Sequence, residues 1–203
     1  MKQIVQFIED NNISEEEVAK AAHMSLRNCR RQIHSEDRTQ TRIVLILADY
    51  NQQSIDSIFF DQMYNQPINL EGLTWNQVQD IMKLIHPELF TDIKRSSKFK
   101  DFEYNLKNDM GDRMRFIREV VFSLSQTQFG KYMEVTRNTA KYWDEGQINV
   151  DKILKISQRT NISMDFMIRD NYPLTLQTQG MSEALYLAVM TNCVLYRLRN
   201  MKQ

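Results

Sequence analysis

Glycine and proline are scarce in this sequence, and their scarcity limits the fold classes it can adopt. The 203-residue chain contains 5 glycines and 3 prolines. Sandwiches and barrels built of short strands need many tight turns, which use these two residues. Good helix formers are common, and 42% of the residues are apolar, which is enough for a buried core. The composition therefore predicts an all-α protein of one large domain or two small ones.

Cysteine and histidine are also rare, and their spacing does not indicate a metal site or a catalytic group. Cys29 and Cys193 lie far apart, without a CxxC pair or a disulfide framework. His23, His34 and His86 lack acidic or cysteine neighbours at metal-binding spacing. The sequence has no glycine-rich phosphate loop and no Ser/His/Asp or Cys/His grouping. We therefore expect no enzyme activity, no cofactor and a reducing, cytoplasmic location.

Long apolar runs and an excess of charge of one sign are absent too. The opening MKQIVQFIEDNN turns acidic after a short apolar stretch, so we do not expect a signal peptide. The apolar run at 184–198 is short for a membrane span and is interrupted by polar residues, so no membrane association is expected. Twenty-six basic and 26 acidic residues balance. A large non-specific nucleic-acid-binding surface is excluded, but site-specific DNA binding depends on where the cations lie.

Two segments repeat one pattern. Residues 13–34 read ISEEEVAKAAHMSLRNCRRQIH and residues 124–145 read LSQTQFGKYMEVTRNTAKYWDE, so Ser125 stands 111 positions after Ser14. In each segment an apolar residue precedes a serine that can cap a helix, and a second capping residue, Ser25 or Thr136, follows further on. The pattern predicts two short helices joined by a tight turn. Their inward faces are expected to hold Val18, Ala19, Ala22, Cys29 and Ile33 in the first copy and Phe129, Gly130, Met133, Ala140 and Trp143 in the second.

The repetition continues downstream and upstream. TRIVLILADYNQQSIDSIF (41–59) parallels VDKILKISQRTNISMDFMI (150–168), now at an offset of 109 positions. Both predict a helix, a polar turn and a short helix capped by Ser54 or Ser163. An amphipathic helix precedes each unit, with Ile4 and Phe7 in one and Met114 and Ile117 in the other. Each copy is thus predicted to contain five short helices, of which the second and third form a helix-turn-helix.

The second copy resembles the Cro/C1-type (XRE) helix-turn-helix family. That family reads Leu-Ser-Gln at the start of helix two, Val-Ser/Thr-Arg-x-Thr at helix three, and Trp-Glu-x-Gly at its end. Here Leu124-Ser125-Gln126, Val135-Thr136-Arg137, Thr139 and Trp143-Asp144-Glu145-Gly146 match, and the resemblance covers about residues 112–170. Glu134 departs from the usual glycine at a turn that often needs a positive φ, and Ala140 replaces a larger aliphatic residue. The first copy matches less well, and its assignment depends on the internal repeat.

The resemblance implies a domain arrangement. We expect two lambda-repressor-like helix-turn-helix domains at 1–61, the divergent one, and 110–171, here called the first and second repeats. A helical linker is expected at 62–109 and a C-terminal helical tail at 172–203.

The same resemblance implies which residues of the second repeat touch DNA. In the family the third helix lies in the major groove. Arginine suits guanine and asparagine suits adenine, each through two hydrogen bonds. Gln126, at the start of helix two, is expected to contact a backbone phosphate. A solvated polar face is the alternative for the exposed residues of helix three, which are Thr136, Arg137, Asn138, Thr139, Lys141 and Tyr142.

The first repeat presents a denser set of cations. Arg27, Arg30 and Arg31 stand at i, i+3 and i+4, a spacing that predicts a basic patch on one helix face. Ser25 and Asn28 lie on the same helix and are also expected to face DNA. Arg38 and Arg42 follow and are expected to hold phosphate. The alternative is a solvated face paired with Glu36 and Asp37.

The linker and the tail are less specific. TWNQVQDIMKLIH (74–86) predicts a helix that ends near Pro87, and the charged stretch 94–109, which contains KRSSKFK, indicates a looser hinge. The tail begins after Gly180 with Ser182 as a candidate cap and is apolar almost all round. Such a helix is expected to be buried, either on the second domain or in a homodimer, and dimerisation suits the reading of palindromic sites.

These observations together predict a function. We expect a sequence-specific DNA-binding transcriptional regulator, a repressor, whose partners are double-stranded DNA and a second copy of the chain. The alternative is a protein-interaction module, such as an inhibitor or antirepressor, built on helix-turn-helix domains.

Overall fold

The computed structural model describes residues 2–35, 39–60, 67–90 and 104–202, and this part of the chain is mostly helical. The first repeat contains α1 (Lys2–Asp10), α2 (Glu15–Ala21), α3 (Leu26–Ile33), α4 (Thr41–Tyr50) and α5 (Ile55–Phe59). The linker contains α6 (Trp75–Ile85). The second repeat contains α7 (Met110–Phe116), a π-helical turn (Ile117–Val121), α8 (Gln126–Met133), α9 (Arg137–Asp144), α10 (Val150–Thr160) and α11 (Met164–Ile168). The tail forms α12 (Glu183–Asn200).

Most helices begin at the capping residues that the sequence predicts. The side chains of Ser25, Ser54 and Thr136 each accept a hydrogen bond from the backbone N–H three residues ahead. Ser125 goes further and forms a reciprocal capping box with Gln128. Ser14 does not cap α2, because its hydroxyl donates instead to Glu16 Oε2 at 2.9 Å.

The turn between α8 and α9 depends on a glycine and on a left-handed residue. A Cβ atom at Gly130 would lie 2.9 Å from the carbonyl oxygen of Val135, so the two helices approach too closely for a side chain. Glu134 has a φ of 58°, and His23 at the equivalent place in the first repeat has a φ of 48°. The positive φ expected at the turn is therefore confirmed in both repeats.

The linker and the tail pack against each other. In the linker, β1 (Ile68–Asn69) pairs antiparallel with β2 (Thr175–Leu176), a small sheet that the sequence analysis did not predict. The predicted helix at 74–86 is α6, and a 3-10 turn, Pro87–Leu89, follows it. α12 packs on α6 within the chain. Residues 94–103 of the expected hinge lie outside the described residues.

The expectation that the tail helix is buried all round is wrong within the chain. Val189 and Cys193 are the buried residues of α12. Its other side exposes Leu187, Val194, Leu195, Leu198 and the adjoining Met201. The reason is that α6 covers one side of α12 only.

The repeats share a continuous hydrophobic core. All the residues predicted to face inward in the helix pairs are buried, and the core includes Val18 and Cys29 in the first repeat and Phe129 and Trp143 in the second. α5 and α11, the last helices of the two repeats, pack directly against each other.

Candidate nucleic-acid interface

The outer face of α9 carries the residues that the sequence analysis selected. Thr136 caps the helix, and Arg137 and Asn138 in its first turn are exposed. One turn further, Lys141 and Tyr142 are exposed as well, with Tyr142 at 51%. Thr139 is half-buried, and its hydroxyl lies 2.9 Å from that of Thr136. The exposed set can reach a groove, whereas Thr139 is held in the helix cap.

The opposite face of α9 is fixed in the core. Ala140, Trp143 and Asp144 are buried. The Trp143 ring packs edge-on against Phe129 of α8, with centroids 6.3 Å apart. The outer face of α9 is therefore held at a fixed orientation relative to α8.

A buried ionic network, which the sequence analysis missed, links α8 and α9 to the turn before them. The guanidinium of Arg118 donates to both carboxylate oxygens of Asp144, at 3.2 and 2.7 Å, and to the carbonyl of Leu124 at 2.9 Å. It also pairs with Glu119 at 2.7 Å. Burial alone would lower the pKa of Arg118, but its bonds to Asp144 and Glu119 outweigh burial and raise it. The guanidinium is therefore a permanent cation in the core.

Gln126 belongs to this network. Its amide nitrogen donates to Asp144 Oδ2 at 2.9 Å, and the residue is half-buried at the start of α8. The phosphate contact expected of Gln126 remains a prediction. Its side chain is anchored on one side by Asp144, which connects the beginning of α8 to the end of α9.

The arginines of α3 do not form one patch. Arg30 is turned toward α2, where its Nε lies 2.8 Å from Glu15 Oε2 and its Nη2 lies 3.8 Å from Glu16. Arg27 and Arg31 are exposed, and Arg31 donates to the side chain of Asn28 at 2.9 Å. Ser25 caps the helix. Arg30 is itself exposed but is paired with acidic side chains, and the DNA contacts expected of the three arginines stay predictions.

The start of α2 differs most between the repeats. Glu15, Glu16 and Glu17 stand where the second repeat has Gln126, Thr127 and Gln128. Burial would raise the pKa of Glu15, but hydrogen bonds from Arg30 and His34 outweigh it and hold the pKa below its ordinary value. This end of the first repeat therefore carries negative charge where the second is neutral.

Some of the predicted contacts cannot be placed. Arg38 and its alternative neighbours Glu36 and Asp37 lie outside the described residues. Arg42 is exposed at the start of α4.

An aromatic cleft lies between the linker and the second repeat. It has a volume of about 470 Å³. Trp75, half-exposed, stands edge-on to Phe116 at 4.9 Å between centroids. Phe166, Tyr172 and Leu174 complete the apolar part of the wall. This cleft was not predicted from the sequence, because its residues come from segments that are far apart in the chain.

Within the described residues, histidine, cysteine, aspartate and glutamate nowhere gather in a group of three or more that could hold a metal ion. In the same part of the chain, none of the helices combines the length and the apolar character needed to cross a membrane.

Comparison of the chain with protein-family models, curated proteins and solved structures finds no match in any of the three.

Proposed function

We propose that this protein is a cytoplasmic, sequence-specific DNA-binding regulator, a repressor, built on two helix-turn-helix domains of the Cro/C1 kind. α9 enters the major groove of double-stranded DNA, and Arg137 and Asn138 read base edges. α3 has the corresponding role in the first repeat. Gln126 contacts phosphate at the start of α8.

One observation supports this function above the others. The outer face of α9 presents a cation, an amide and an aromatic hydroxyl, in Arg137, Asn138 and Tyr142, on a helix whose other side is buried. A rigid helix with polar, hydrogen-bonding groups on its exposed face is the kind of element that reads a major groove.

The test begins with a site selected from random duplexes. Arg137→Ala and Asn138→Ala are each expected to weaken binding to that site by about 1–3 kcal/mol, because each removes a bidentate base contact. The loss should be confined to one base position, so the variant should tolerate any base there. Fluorescence anisotropy against the site and its single-position variants measures both effects.

Two controls separate base reading from general binding. Arg199→Ala removes an exposed cation from α12 and should leave the affinity unchanged. Gln126→Ala should weaken binding to all duplexes by the same factor. The stability of this variant is measured in parallel, because Gln126 also donates a hydrogen bond to Asp144. If Arg137→Ala binds the selected site and scrambled DNA as the wild type does, α9 is not the reader.

The homodimer is the second part of the proposal, and α12 is its interface. Leu187, Val194, Leu198 and Met201 are exposed at spacings of seven, four and three residues, which form one stripe along the helix. A second copy of the chain presents an identical stripe, so two α12 helices can pair and cover both.

We expect Leu198→Glu and Val194→Glu together to turn the dimer into a monomer, because two charges would be buried at the pairing surface. Multi-angle light scattering at micromolar chain concentration measures the mass. The fold should remain, since Val189 and Cys193 keep α12 on α6. Ala188→Glu, exposed to the side of the stripe, is the matched control and should stay dimeric. A monomeric wild type would contradict the proposal.

A second candidate function is favoured by the acidic start of α2. Glu15, Glu16 and Glu17 would repel phosphates at the place where the second repeat offers Gln126. The first repeat would then bind a protein partner rather than DNA. A footprint that covers the second repeat's half-site alone would support this alternative.

A further inference from the structure

The two repeats meet at equivalent residues. α5 and α11 are the last helices of their repeats and pack against each other. Asp165 in α11 stands 109 positions after Asp56 in α5, the same offset that relates residues 150–168 to residues 41–59. Both aspartates are buried, with 1% and 0% of their surface exposed. The boundary between the repeats is therefore formed by a residue and its own counterpart.

Each aspartate caps the start of the other repeat's last helix. Asp56 Oδ1 accepts a hydrogen bond of 2.8 Å from the backbone N–H of Met164. Asp165 Oδ1 accepts one of 2.9 Å from the backbone N–H of Ile55. Met164 and Ile55 are themselves equivalent at the offset of 109. When equivalent groups exchange the same bond in both directions, the contact is isologous, and a two-fold rotation generates such contacts.

Most helix contacts inside the first repeat have a counterpart in the second, although α7 packs on α9 more closely than α1 packs on α3. α2 packs on α3 and α4 just as α8 packs on α9 and α10. α1 packs on α5 just as α7 packs on α11. The reciprocal bonds of Asp56 and Asp165 and the matching helix contacts support an approximate two-fold relation between the repeats, and such a relation would also carry α3 onto α9. A two-fold rotation leaves position along its axis unchanged, so it would place α3 and α9 at the same level on opposite sides of the contact between α5 and α11.

We propose that one chain reads two half-sites in inverted orientation, as a two-fold dimer fused into a single polypeptide. The inference rests on the DNA binding proposed above and adds the orientation and the number of chains per site. A homodimer that pairs through α12 would contain two such chains, and each chain would bind one duplex. Repeats related by translation would instead read half-sites in direct orientation.

The two half-sites are not identical. The exposed residues Arg27 and Arg31 of α3 correspond, at the offset of 111, to Asn138 and Tyr142 of α9. Arginine and asparagine prefer different bases. The site is therefore an imperfect palindrome, with the half-site of the first repeat depending on Arg27 and Arg31.

The experiment selects duplexes from a random library with the full-length protein and then rebuilds the selected site. Three versions carry the two half-sites inverted, in direct orientation, or with one half scrambled. We expect the inverted duplex to bind at least about 100-fold more tightly than the scrambled one, because the second contact becomes intramolecular. Titration should give one chain per duplex.

Variants assign each repeat to its half. Arg27→Ala with Arg31→Ala should erase the preference for one half-site, and Arg137→Ala should erase it for the other. Arg199→Ala is the control, because it removes an exposed cation on α12, outside both candidate reading helices. Selection of a direct repeat, or of a single half-site, would overturn this inference and leave the proposed function intact. If no sequence is enriched at all, both fail.

Discussion

Replacing Arg118 by methionine is expected to lower the free energy of unfolding by about 3–5 kcal/mol, because it leaves a buried carboxylate without its cation. Asp144 is 5% exposed and would retain only the amide of Gln126 as a side-chain partner among the bonds described here. Leu124 would also lose the donor that now satisfies its carbonyl. Chemical denaturation followed by circular dichroism measures the loss.

A double variant separates the ion pair from the packing. Arg118→Met with Asp144→Asn removes both charges, so it should be less destabilised than Arg118→Met alone. Arg115→Met is the matched control, because Arg115 lies near the surface of the same repeat and pairs with Asp112 at 3.8 Å. Its loss should be about 1 kcal/mol or less. Equal stability of Arg118→Met and wild type would mean that the network does not hold α8 and α9 together.

The parts of the fold that the sequence predicted are those with local causes. A capping serine acts on the next three residues, so Ser54 and Ser125 could be identified without knowledge of the fold. The roles of Gly130 and Glu134 could be predicted because a tight turn between two helices leaves no space for a side chain at one position and requires a positive φ at another. Inward faces followed from helical periodicity.

The parts that could not be predicted depend on residues far apart in the chain. Asp56 and Asp165 each look like an ordinary acidic residue in the first turn of a helix, which the helix dipole favours by itself. Nothing local indicates that each caps the other's helix. Arg30 was grouped with Arg27 and Arg31 by spacing alone, and its partner Glu15 belongs to a different helix. For α12, apolar residues almost all round the helix predicted burial on the second domain or in a dimer, whereas within the chain α6 covers one side of it.

The buried aspartate pair makes a second large effect expected, and it depends on pH. Burial and the nearby charge of Asp165 raise the pKa of Asp56 to about 7. Hydrogen bonds from Ser163 and Met164 act in the opposite direction but are weaker. Arg169 donates hydrogen bonds to Asp165 and Asp49 but not to Asp56. The negative charges of both buried aspartates also act on Tyr172 and raise its pKa. In the unfolded chain Asp56 releases its proton near its ordinary pKa of 3.8. Between these values the folded protein binds more protons than the unfolded one, so stability falls as pH rises through the window and the loss is complete above about 7.

Asp56→Asn is therefore expected to be more stable than the wild type at pH 8 by a few kcal/mol, since one pKa unit corresponds to about 1.4 kcal/mol. The asparagine keeps an oxygen that can accept from the Met164 N–H but carries no charge against Asp165. The difference should shrink toward pH 5, where the wild-type carboxyl is itself protonated. Urea unfolding at several pH values between 5 and 8 measures it, and titrating groups that do not interact with Asp56 cancel because the two proteins share them. Asp80→Asn, on the surface of α6 beside Lys83, is the control and should follow the wild type at every pH. A variant less stable than the wild type at pH 8 would show that Asp56 is ionised in the folded protein and that its charge stabilises the contact between the repeats.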